Sequence, residues 1–237
     1  MKSIQNVKGV HHRDTPVPPP RHVSATVVGR LPRYHRYLAE LIRVGKLRVS
    51  SSELSEMMCT TASQIRQDLN CFGGFGQQGY GYPVEDLYRK IGELLGVEEH
   101  YGAVFVGLGH LGHSLVDSAM LERRGIRKLA VFETDPAKIG TTVAGMPVLD
   151  TARMGEFCRE NRVDIAVLAV PKEQAAPCAR ILAEAGVRGI WNFSDTELDL
   201  RVEGVKIKNM HLSDALLSLC YELRVEDFHR AEKEEAR

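Results

Sequence analysis

The stretch VFVGLGHLGH at residues 104–113 constrains the fold of this chain more than any other. It is an apolar run that breaks into glycines at Gly107, Gly109 and Gly112 and then resumes with helical spacing. Such a turn between a strand and a helix binds the pyrophosphate of a dinucleotide, because the first backbone N–H groups of the helix point at the phosphates. Gly107 permits the tight turn, Gly109 lets the phosphates approach the backbone, and Gly112 lets the helix pack closely on the strand.

The next apolar run, LAVFE, ends in Glu133, 21 residues after Gly112. A dinucleotide site has at this place the acid that binds the ribose hydroxyls, and a carboxylate there repels a 2′-phosphate, so the pattern favours NAD over NADP. Other interpretations stay open. The glycines could be purely structural, Asp135 could be the ribose partner instead of Glu133, and Lys138 could reach the phosphates. His110 within the turn is expected to face solvent or phosphate.

The second part of the chain alternates short apolar runs with helical segments. The runs AVFV, LAVFE, DIAVLAV and GIWNF have the β-branched content of strands, and segments such as AAPCARILAEAG have a helical period. This alternation predicts an α/β domain over residues 98–210, with a parallel sheet and helices on both faces. Trp191 is expected to pack in the sheet. No room for a substrate domain follows Phe193, so we predict no catalytic residue and no enzyme.

The first part of the chain predicts several short helices. An apolar stripe begins at Leu31 and stops at Gly45. A serine at position 50, 51 or 52 can then cap the helix ELSEMM, and a threonine at position 60 or 61 can cap a third helix that buries Ile65 and Leu69. Two short helices joined by a turn of three or four residues are typical of a helix-turn-helix.

A glycine-rich segment, GGFGQQGYGYP, follows these helices. Its alternation of glycine, glutamine and aromatic residues predicts a tight β-hairpin or wing. Pro83 then opens a helix from Val84 to Leu95, which ends at Gly96. Three helices followed by a wing predict a winged-helix domain over residues 23–97.

The polar face of the third helix is predicted to contact nucleic acid. Its sequence, TTASQIRQDLN, exposes Ser63, Gln64, Arg66 and Gln67, which can bond base edges or phosphates in a major groove. Residues 1–96 hold 13 Lys and Arg against 8 Asp and Glu, whereas the rest of the chain holds 18 against 23. This asymmetry suggests a polyanion as the partner of the first half, although a solvated helix face is the alternative. The basic residues ahead of the helix are Arg30, Arg33, Arg36, Arg43, Lys46 and Arg48.

Composition excludes several other classes. The chain has no uncharged apolar run of about 18 residues and no export signal, so we expect a cytoplasmic protein without a membrane span. Its five cysteines are scattered and never in C-x-x-C spacing, which argues against disulfides and a metal site; most are expected to fill apolar space. Residues 1–22 contain TPVPPP and predict a flexible tail.

The last apolar pattern begins at Ser213 and reads DALLSLCYELRVEDF. It places Leu216, Leu219, Cys220 and Leu223 on one face, which predicts a capped amphipathic helix within residues 211–237. Such a helix must bury its stripe, and a dimer partner is one candidate.

These segments together resemble one family, the redox-sensing transcriptional repressors called Rex. The resemblance covers more than four-fifths of the chain, in the family's order, through RLPRYHRYLAEL, RVSSSELSEMM, ASQIRQDLNCFGGFGQQGYGY, VGLGHLG, VFETDPAKIG, LAVP and GIWNF. It implies a homodimer with winged-helix domains on palindromic operator DNA, Rossmann domains that bind NADH and NAD⁺, and a last helix exchanged between subunits. In the family, NADH favours release of the operator while NAD⁺ permits binding, so the dinucleotide is a signal and not a substrate.

The resemblance also implies roles for individual residues. Arg66 corresponds to an arginine of the recognition helix, and Leu212 of the partner's helix would approach the nicotinamide pocket. The implied DNA contacts are Arg30, Arg33, Ser50, Ser51, Ser63, Gln64, Arg66, Gln67 and Tyr82, with Gln77, Gln78 and Tyr80 on the wing. The implied adenosine side comprises Gly107, Leu108, Gly109, His110, Leu111, Gly112 and Glu133, with Asp135 and Lys138 as the further candidates. The nicotinamide side comprises Val170, Pro171, Asn192 and Phe193.

Some positions depart from the family pattern. Gln67 stands where a basic residue is common, which removes a phosphate contact. Some members couple their domains through an arginine, a tyrosine and an aspartate; this chain keeps Arg36 but has Ser118 and His211 at the other two places. We hypothesise that the NADH response is weaker, or is routed through His211, whose charge changes near neutral pH. The segment NFSD also differs from the usual NFAP.

Two other functional classes compete with a repressor. An NAD-dependent oxidoreductase would consume NADH steadily with a carbonyl substrate, which the short C-terminal region disfavours. A module for another adenine nucleotide, such as a coenzyme A ester, would use the same sheet. Glu133 disfavours that ligand, because a carboxylate would repel the 3′-phosphate of coenzyme A if the phosphate came near.

Overall fold

A computed structural model describes residues 23–72 and 80–235 of the chain. It divides into two compact units, Met1–Glu98 and Glu99–Arg237. The predicted tail at residues 1–22 lies outside the described residues, and so do Gln77 and Gln78 of the predicted wing.

Unit 1 is a small helical domain with a two-stranded sheet. Its elements are α1 (Ala25–Arg43), β1 (Arg48–Val49), α2 (Ser51–Met57), α3 (Ala62–Asn70), β2 (Tyr82–Pro83) and α4 (Val84–Leu95). Ser50 caps α2, with the Glu53 side chain accepting from the Ser50 backbone N–H in return, and Thr61 caps α3. Of the candidate caps at positions 50–52 and 60–61, Ser50 and Thr61 are therefore the ones used. Gly96 ends α4 in the left-handed conformation, as its sequence predicted.

Helix α1 begins at Ala25 and not near Leu31. Ser24 caps it by accepting from the Val27 N–H, and Val27 adds one more turn to the buried stripe. The sequence pattern did not predict this turn because Gly29 and Pro32 are poor helix formers. Packing against the rest of unit 1 outweighs their intrinsic preference.

The core of unit 1 lies between α1, α3 and α4. It contains Tyr34, Leu38, Ile65, Leu69 and Leu87, all almost completely buried, and includes the two α3 positions that the sequence placed there. Burial of these side chains holds the polar face of α3 outward.

The base of the predicted wing is a short antiparallel ladder. Val49 of β1 pairs with Tyr82 of β2, and the Arg48 guanidinium donates to the backbone carbonyls of Tyr80 and Gly81, each at 2.8 Å. Gly81 has φ +66°, and a Cβ there would lie 2.7 Å from the Val49 carbonyl oxygen, so only glycine fits this return. These contacts fix the backbone at Tyr80 and Gly81, where the described chain resumes.

Unit 2 is an α/β domain. Its strands are β3 (Gly102–Val106), β4 (Arg127–Glu133), β5 (Thr142–Val143), β6 (Met146–Asp150), β7 (Ile165–Leu168), β8 (Gly189–Asn192) and β9 (Lys206–Asn209). Its helices are α5 (His110–Asp117), α6 (Met154–Glu160), α7 (Lys172–Glu184) and α8 (Leu212–Glu235). The strand order is β5-β6-β4-β3-β7-β8-β9, parallel except for β5. One apolar cluster packs α6 and α7 on the sheet and another packs α5, which confirms the prediction of helices on both faces.

Helix α8 leaves its apolar side chains uncovered in the single chain. Those that are more than half exposed include Leu212, Leu216, Leu217, Tyr221, Leu223 and Phe228. The face that the sequence predicted to be buried is therefore open to solvent within one copy of the chain.

The cysteine prediction was wrong for three of the five residues. Cys158 is buried against the sheet and Cys178 is partly buried, but Cys59, Cys71 and Cys220 are exposed. Cys59 and Cys71 lie at helix ends, where the backbone turns away from the core.

None of the helices within residues 23–72 and 80–235 is long and apolar enough to cross a bilayer. In the same part of the chain, no group of three or more His, Cys, Asp or Glu side chains is placed to hold a metal ion.

Candidate functional site

The glycine turn has the geometry that its sequence predicted. Gly107 has φ +94°, and a Cβ there would lie 2.5 Å from the Ala169 carbonyl oxygen. A Cβ on Gly112 would lie 2.0 Å from the Gly107 carbonyl oxygen, so α5 packs against the turn at a distance that only glycine allows. Gly109, the N-cap of α5, has nothing within 4 Å of a Cβ. Two glycines are needed by the fold, and the third faces open space at the helix N-terminus.

The Glu133 carboxylate closes the turn from the end of β4. It accepts from the backbone N–H of Leu108 at 2.8 Å through one oxygen, and from those of Thr134 at 2.7 Å and Asp135 at 3.2 Å through the other. Burial raises the pKa of Glu133, but these three hydrogen bonds and the charge of Lys138 outweigh it and hold the pKa below its usual value. The carboxylate is therefore ionised and helps to shape the turn.

Lys138 places a positive charge at the same end of the turn. Its ammonium donates to the Leu108 carbonyl at 3.2 Å and lies 3.8 Å from Glu133 and 3.7 Å from Asp135. Asp135 itself accepts from the Ala137 N–H. An anionic group near this lysine would find both a charge and the N-terminus of α5.

A cleft of about 250 Å³ opens at the carboxyl ends of the strands around this turn. Seven predicted residues line it: Gly107, Leu108, Gly109, Glu133, Lys138, Val170 and Pro171. Seven other predicted residues do not: His110, Leu111, Gly112, Asp135, Asn192, Phe193 and Leu212. The cleft thus contains the predicted turn and acid together with the start of the β7–α7 connection.

Sequence reasoning missed five residues that line the cleft, namely Phe132, Thr134, Thr151, Ala169 and Gln174. Thr151 directly follows β6 and Ala169 directly follows β7. Ligands of parallel α/β sheets bind beyond the carboxyl ends of the strands, so the residue after each predicted strand was a usable signal.

Asn192, which was predicted to lie on the nicotinamide side, does not line the cleft. Its side chain is fully buried and donates to the Thr196 carbonyl at 2.8 Å and to Asn209 Oδ1 at 2.9 Å, while its oxygen accepts from the Ser194 N–H. The buried amide of Asn192 finds partners for its donor and acceptor atoms inside the protein. It therefore organises the loop that follows β8. Phe193 packs its ring against Trp191 at 4.5 Å, and Trp191 lies in the sheet as predicted.

The three positions of the altered coupling network have local partners. Arg36 is exposed on α1 with its guanidinium 5.4 Å from the Tyr37 ring. Ser118 ends α5 and accepts from the Met120 N–H. His211 pairs with Glu197 at 2.9 Å, and this hydrogen bond raises the pKa of His211.

Helix α3 presents the predicted polar face. Ser63, Arg66 and Gln67 are exposed, and Arg66 donates to the Ser51 hydroxyl at 3.1 Å, which ties α3 to the start of α2. Tyr80 is largely exposed at the start of the described residues 80–235, whereas Tyr82 is half-buried in β2.

Arg30, a predicted DNA contact, has a partner within unit 1. Its guanidinium donates twice to the buried Asp68 carboxylate, at 2.6 and 2.7 Å, so its charge is paired within unit 1. Arg33 donates to the Met58 carbonyl at 2.9 Å, which supports the end of α2. Ser50 is likewise occupied as the cap of α2.

Comparisons with known proteins agree with both halves of this description. The family model "Putative DNA-binding protein N-terminus" matches residues 22–70, and the model "CoA binding domain" matches residues 98–196. The chain is 44% identical over 214 residues to the redox-sensing transcriptional repressor Rex of Caldanaerobacter subterraneus subsp. tengcongensis, covering 90% of this chain and 95% of that protein. It belongs to the Rex family.

A second Rex protein, from Clostridium perfringens, is 40% identical over 86% of this chain and 96% of its own length. Two solved structures have the same architecture. RSP in complex with β-NAD⁺ and operator DNA matches with a TM-score of 0.82 and 42% identity, over 91% of this chain and 99% of that one. RSP in complex with β-NADH matches with a TM-score of 0.82 and 39% identity, over 88% and 98%.

Membership in the Rex family confirms the two-part fold and the prediction of a redox-sensing transcriptional repressor. The relatives are named as repressors and not as enzymes, which agrees with the prediction that this chain is not a dehydrogenase. The oxidoreductase alternative is thereby overturned.

Proposed function

We propose that this repressor binds operator DNA through α3 and the wing of unit 1, and that NADH or NAD⁺ bound in the cleft of unit 2 sets how tightly it does so. The observation that carries this proposal is the conjunction of a glycine turn, a helix N-terminus and the ionised Glu133 in one cleft of a chain whose other unit is a helix-turn-helix. The solved relative RSP was crystallised with NAD⁺ and operator DNA, and separately with NADH.

The residues of the cleft fit a dinucleotide. A Cβ on Gly109 would project into open space at the start of α5, which is the room that a pyrophosphate needs beside the helix N–H groups. The Leu108 N–H donates to Glu133, so a contact within the chain itself supports the turn. Glu133 would accept from the adenosine ribose with its remaining lone pairs, Lys138 would approach a phosphate, and Val170 with Pro171 would lie toward the nicotinamide.

The DNA side of the proposal uses the side chains that the fold leaves exposed. Ser63, Arg66 and Gln67 on α3 and Tyr80 beside the wing would meet the duplex, with Arg66 as the main cation. Arg30, whose guanidinium is bound to Asp68, is left out of this surface. Without a basic residue at position 67, the dependence of affinity on salt should be shallower by about one counterion per subunit than with lysine there.

The action of the ligand follows from linkage. A ligand changes DNA affinity only by its differential affinity for the DNA-competent and DNA-incompetent arrangements, and the same coupling acts in both directions. We propose that NADH prefers the arrangement that releases the operator and that NAD⁺ competes for the same cleft. The protein would then report the NADH/NAD⁺ ratio in the cytoplasm.

The ligand assignment is tested by calorimetric titration of the purified protein with NADH, NAD⁺, NADPH and coenzyme A. The name of the matched family model makes coenzyme A the second candidate. We expect NADH and NAD⁺ to bind, and NADPH to bind at least tenfold more weakly because Glu133 repels its 2′-phosphate, a difference of about 1.4 kcal/mol. Tighter binding of coenzyme A than of NADH would overturn the redox assignment.

We further propose that α8 joins two copies of the chain. A chain ending at residue 210 would lack the exposed apolar side chains of α8 and should be monomeric in size-exclusion chromatography with light scattering, while the full chain is a dimer. The substitution Glu226→Gln, at an exposed polar position of α8, serves as the control, and this variant should stay dimeric. A full chain that is monomeric at micromolar concentration would contradict the proposal.

The route of the NADH response through His211 stays a proposal. His211 hydrogen bonds to Glu197, which raises its pKa, so the imidazolium persists to higher pH than in an isolated histidine. If its charge transmits the response, release of the operator by NADH should weaken as pH rises from about 6 to 8, and His211→Gln should remove this dependence. A response that is the same across this range would exclude the histidine route.

A further inference from the structure

A buried carboxylate lies behind the exposed face of α3. Asp68 is completely inaccessible and accepts four hydrogen bonds. Two come from the Arg30 guanidinium, one from the Tyr34 hydroxyl at 2.8 Å, and one from the Gln64 side-chain amide at 2.8 Å. Three of these bonds tie α3 to α1, but the fourth holds a residue that lies on the outer side of α3.

The charge on Asp68 decides how the Gln64 amide is turned. Burial raises the pKa of Asp68, but the hydrogen bonds from Arg30, Gln64 and Tyr34 outweigh it and hold the pKa below its usual value. An ionised carboxylate can only accept, so Gln64 must offer it the Nε2 group and turn the Oε1 atom away. An inverted amide would place two acceptors 2.8 Å apart.

Gln64 occupies the part of α3 that meets base edges. It is the third residue of the helix, partly exposed, and it lies between the exposed Ser63 and Arg66. In a helix-turn-helix the N-terminal residues of the second helix contact the bases in the major groove. A glutamine amide presents one acceptor and one donor, which match the N6–H₂ donor and the N7 acceptor of adenine.

We propose that Asp68 holds the Gln64 amide in the orientation that reads an adenine in each operator half-site, so that Gln64 determines specificity at one base pair and Asp68 is its positioning residue. This inference rests on the proposed role of α3 in DNA binding. One N–H of the amide stays with Asp68, and the second N–H and Oε1 are left for the base. Because the hydrogen bond to Asp68 already restricts the rotamers of Gln64, the side chain loses less entropy when DNA arrives.

Gln67 provides the matched comparison on the same helix. It is an exposed glutamine one turn further along, and its amide is not held by Asp68. A glutamine without this restraint can rotate its amide to suit different bases or a phosphate, so its contribution should depend little on sequence.

The test begins with selection of the preferred operator from duplexes with a randomised inverted repeat, using the full-length protein. Each base pair of the selected half-site is then substituted, and binding is measured for the wild type, Gln64→Met and Gln67→Met. We expect Gln64→Met to lose discrimination at one A·T pair by about 5- to 150-fold and to keep it elsewhere. Gln67→Met should change affinity evenly across all sequences. Gln64→Glu would place a second acceptor against the ionised Asp68, so it should also lose the preference for adenine at that pair.

The role of Asp68 has its own variant. Asp68→Asn allows either orientation of the Gln64 amide and should relax discrimination at the same A·T pair as Gln64→Met. If Asp68→Asn does not fold, the three glutamine variants still decide the identity of the base, since Gln64→Met keeps the bonds of Asp68 to Arg30 and Tyr34.

The outcomes separate this inference from the proposed function. If the wild-type protein selects no operator, the proposed DNA-binding function fails. If it selects one and Gln64→Met lowers affinity evenly, or relaxes a G·C pair, the function stands and Gln64 is not the adenine-reading residue. A folded Asp68→Asn protein with unchanged discrimination at every base pair would remove the positioning role of Asp68.

Discussion

Replacing Asp68 by alanine is expected to destabilise unit 1 by about 3–5 kcal/mol, the usual effect of removing one partner of a buried ion pair. The variant leaves the Arg30 guanidinium without its carboxylate and the hydroxyl of the completely buried Tyr34 without its acceptor. Urea unfolding followed by far-ultraviolet circular dichroism measures the loss as a shift of the unit 1 transition.

The control for this prediction is Asp86→Ala on α4. Asp86 is an exposed acid that lies 3.8 Å from the Arg89 guanidinium, so its removal should change the free energy of unfolding by less than about 0.5 kcal/mol. An Asp68→Ala protein as stable as the Asp86→Ala protein would show that the Asp68 network contributes little to the fold. The depressed pKa of Asp68 adds a pH dependence, because stability gained from an ionised carboxylate is lost as pH falls below its unfolded-state pKa.

The second large effect is expected from alanine substitutions at two glycines of the same turn. One should lower the stability of unit 2, and the other should leave it nearly unchanged. In Gly112→Ala the new Cβ would lie 2.0 Å from the Gly107 carbonyl oxygen, so the turn must move and unit 2 should lose about 1–3 kcal/mol of stability. In Gly109→Ala the new Cβ meets no protein atom within 4 Å and φ is −72°, so stability should change by less than about 1 kcal/mol.

Dinucleotide binding separates the two glycine variants further. The Cβ of Gly109→Ala would project into the space assigned to the pyrophosphate, so NADH affinity should fall at least tenfold in a protein that is still folded, or about 1.4 kcal/mol. Calorimetric titration with NADH together with thermal unfolding measures both quantities. A Gly109→Ala protein that binds NADH like the wild type would show that the phosphates lie elsewhere.

The glycine turn and the acid of the cleft were predictable because the rules that place them are local. The spacing of Gly107, Gly109 and Gly112 between an apolar run and a helical period places the turn, and one strand later Glu133 follows from the same pattern. Each of these residues acts through backbone geometry within a single β–α–β unit. The structure adds that Glu133 organises the turn through three backbone N–H groups.

The roles of Arg30, Asp68 and Asn192 could not be predicted in this way. Arg30 resembles a phosphate-binding arginine in a basic stretch, and its partner Asp68 lies 38 residues away among the polar residues of α3. Asn192 similarly depends on Asn209, which is 17 residues further along. Whether a polar side chain faces a ligand or a buried partner depends on tertiary packing, which periodicity does not contain.

The measurement that tests the central claim most directly is fluorescence anisotropy of a labelled operator duplex titrated with the full-length protein at one salt concentration. Salt is fixed because phosphate contacts make affinity strongly dependent on it. The titration is repeated without ligand, with NAD⁺ and with NADH. The account predicts specific binding without ligand and with NAD⁺, and release by NADH. Specific binding that persists at saturating NADH would contradict redox sensing through the cleft of unit 2.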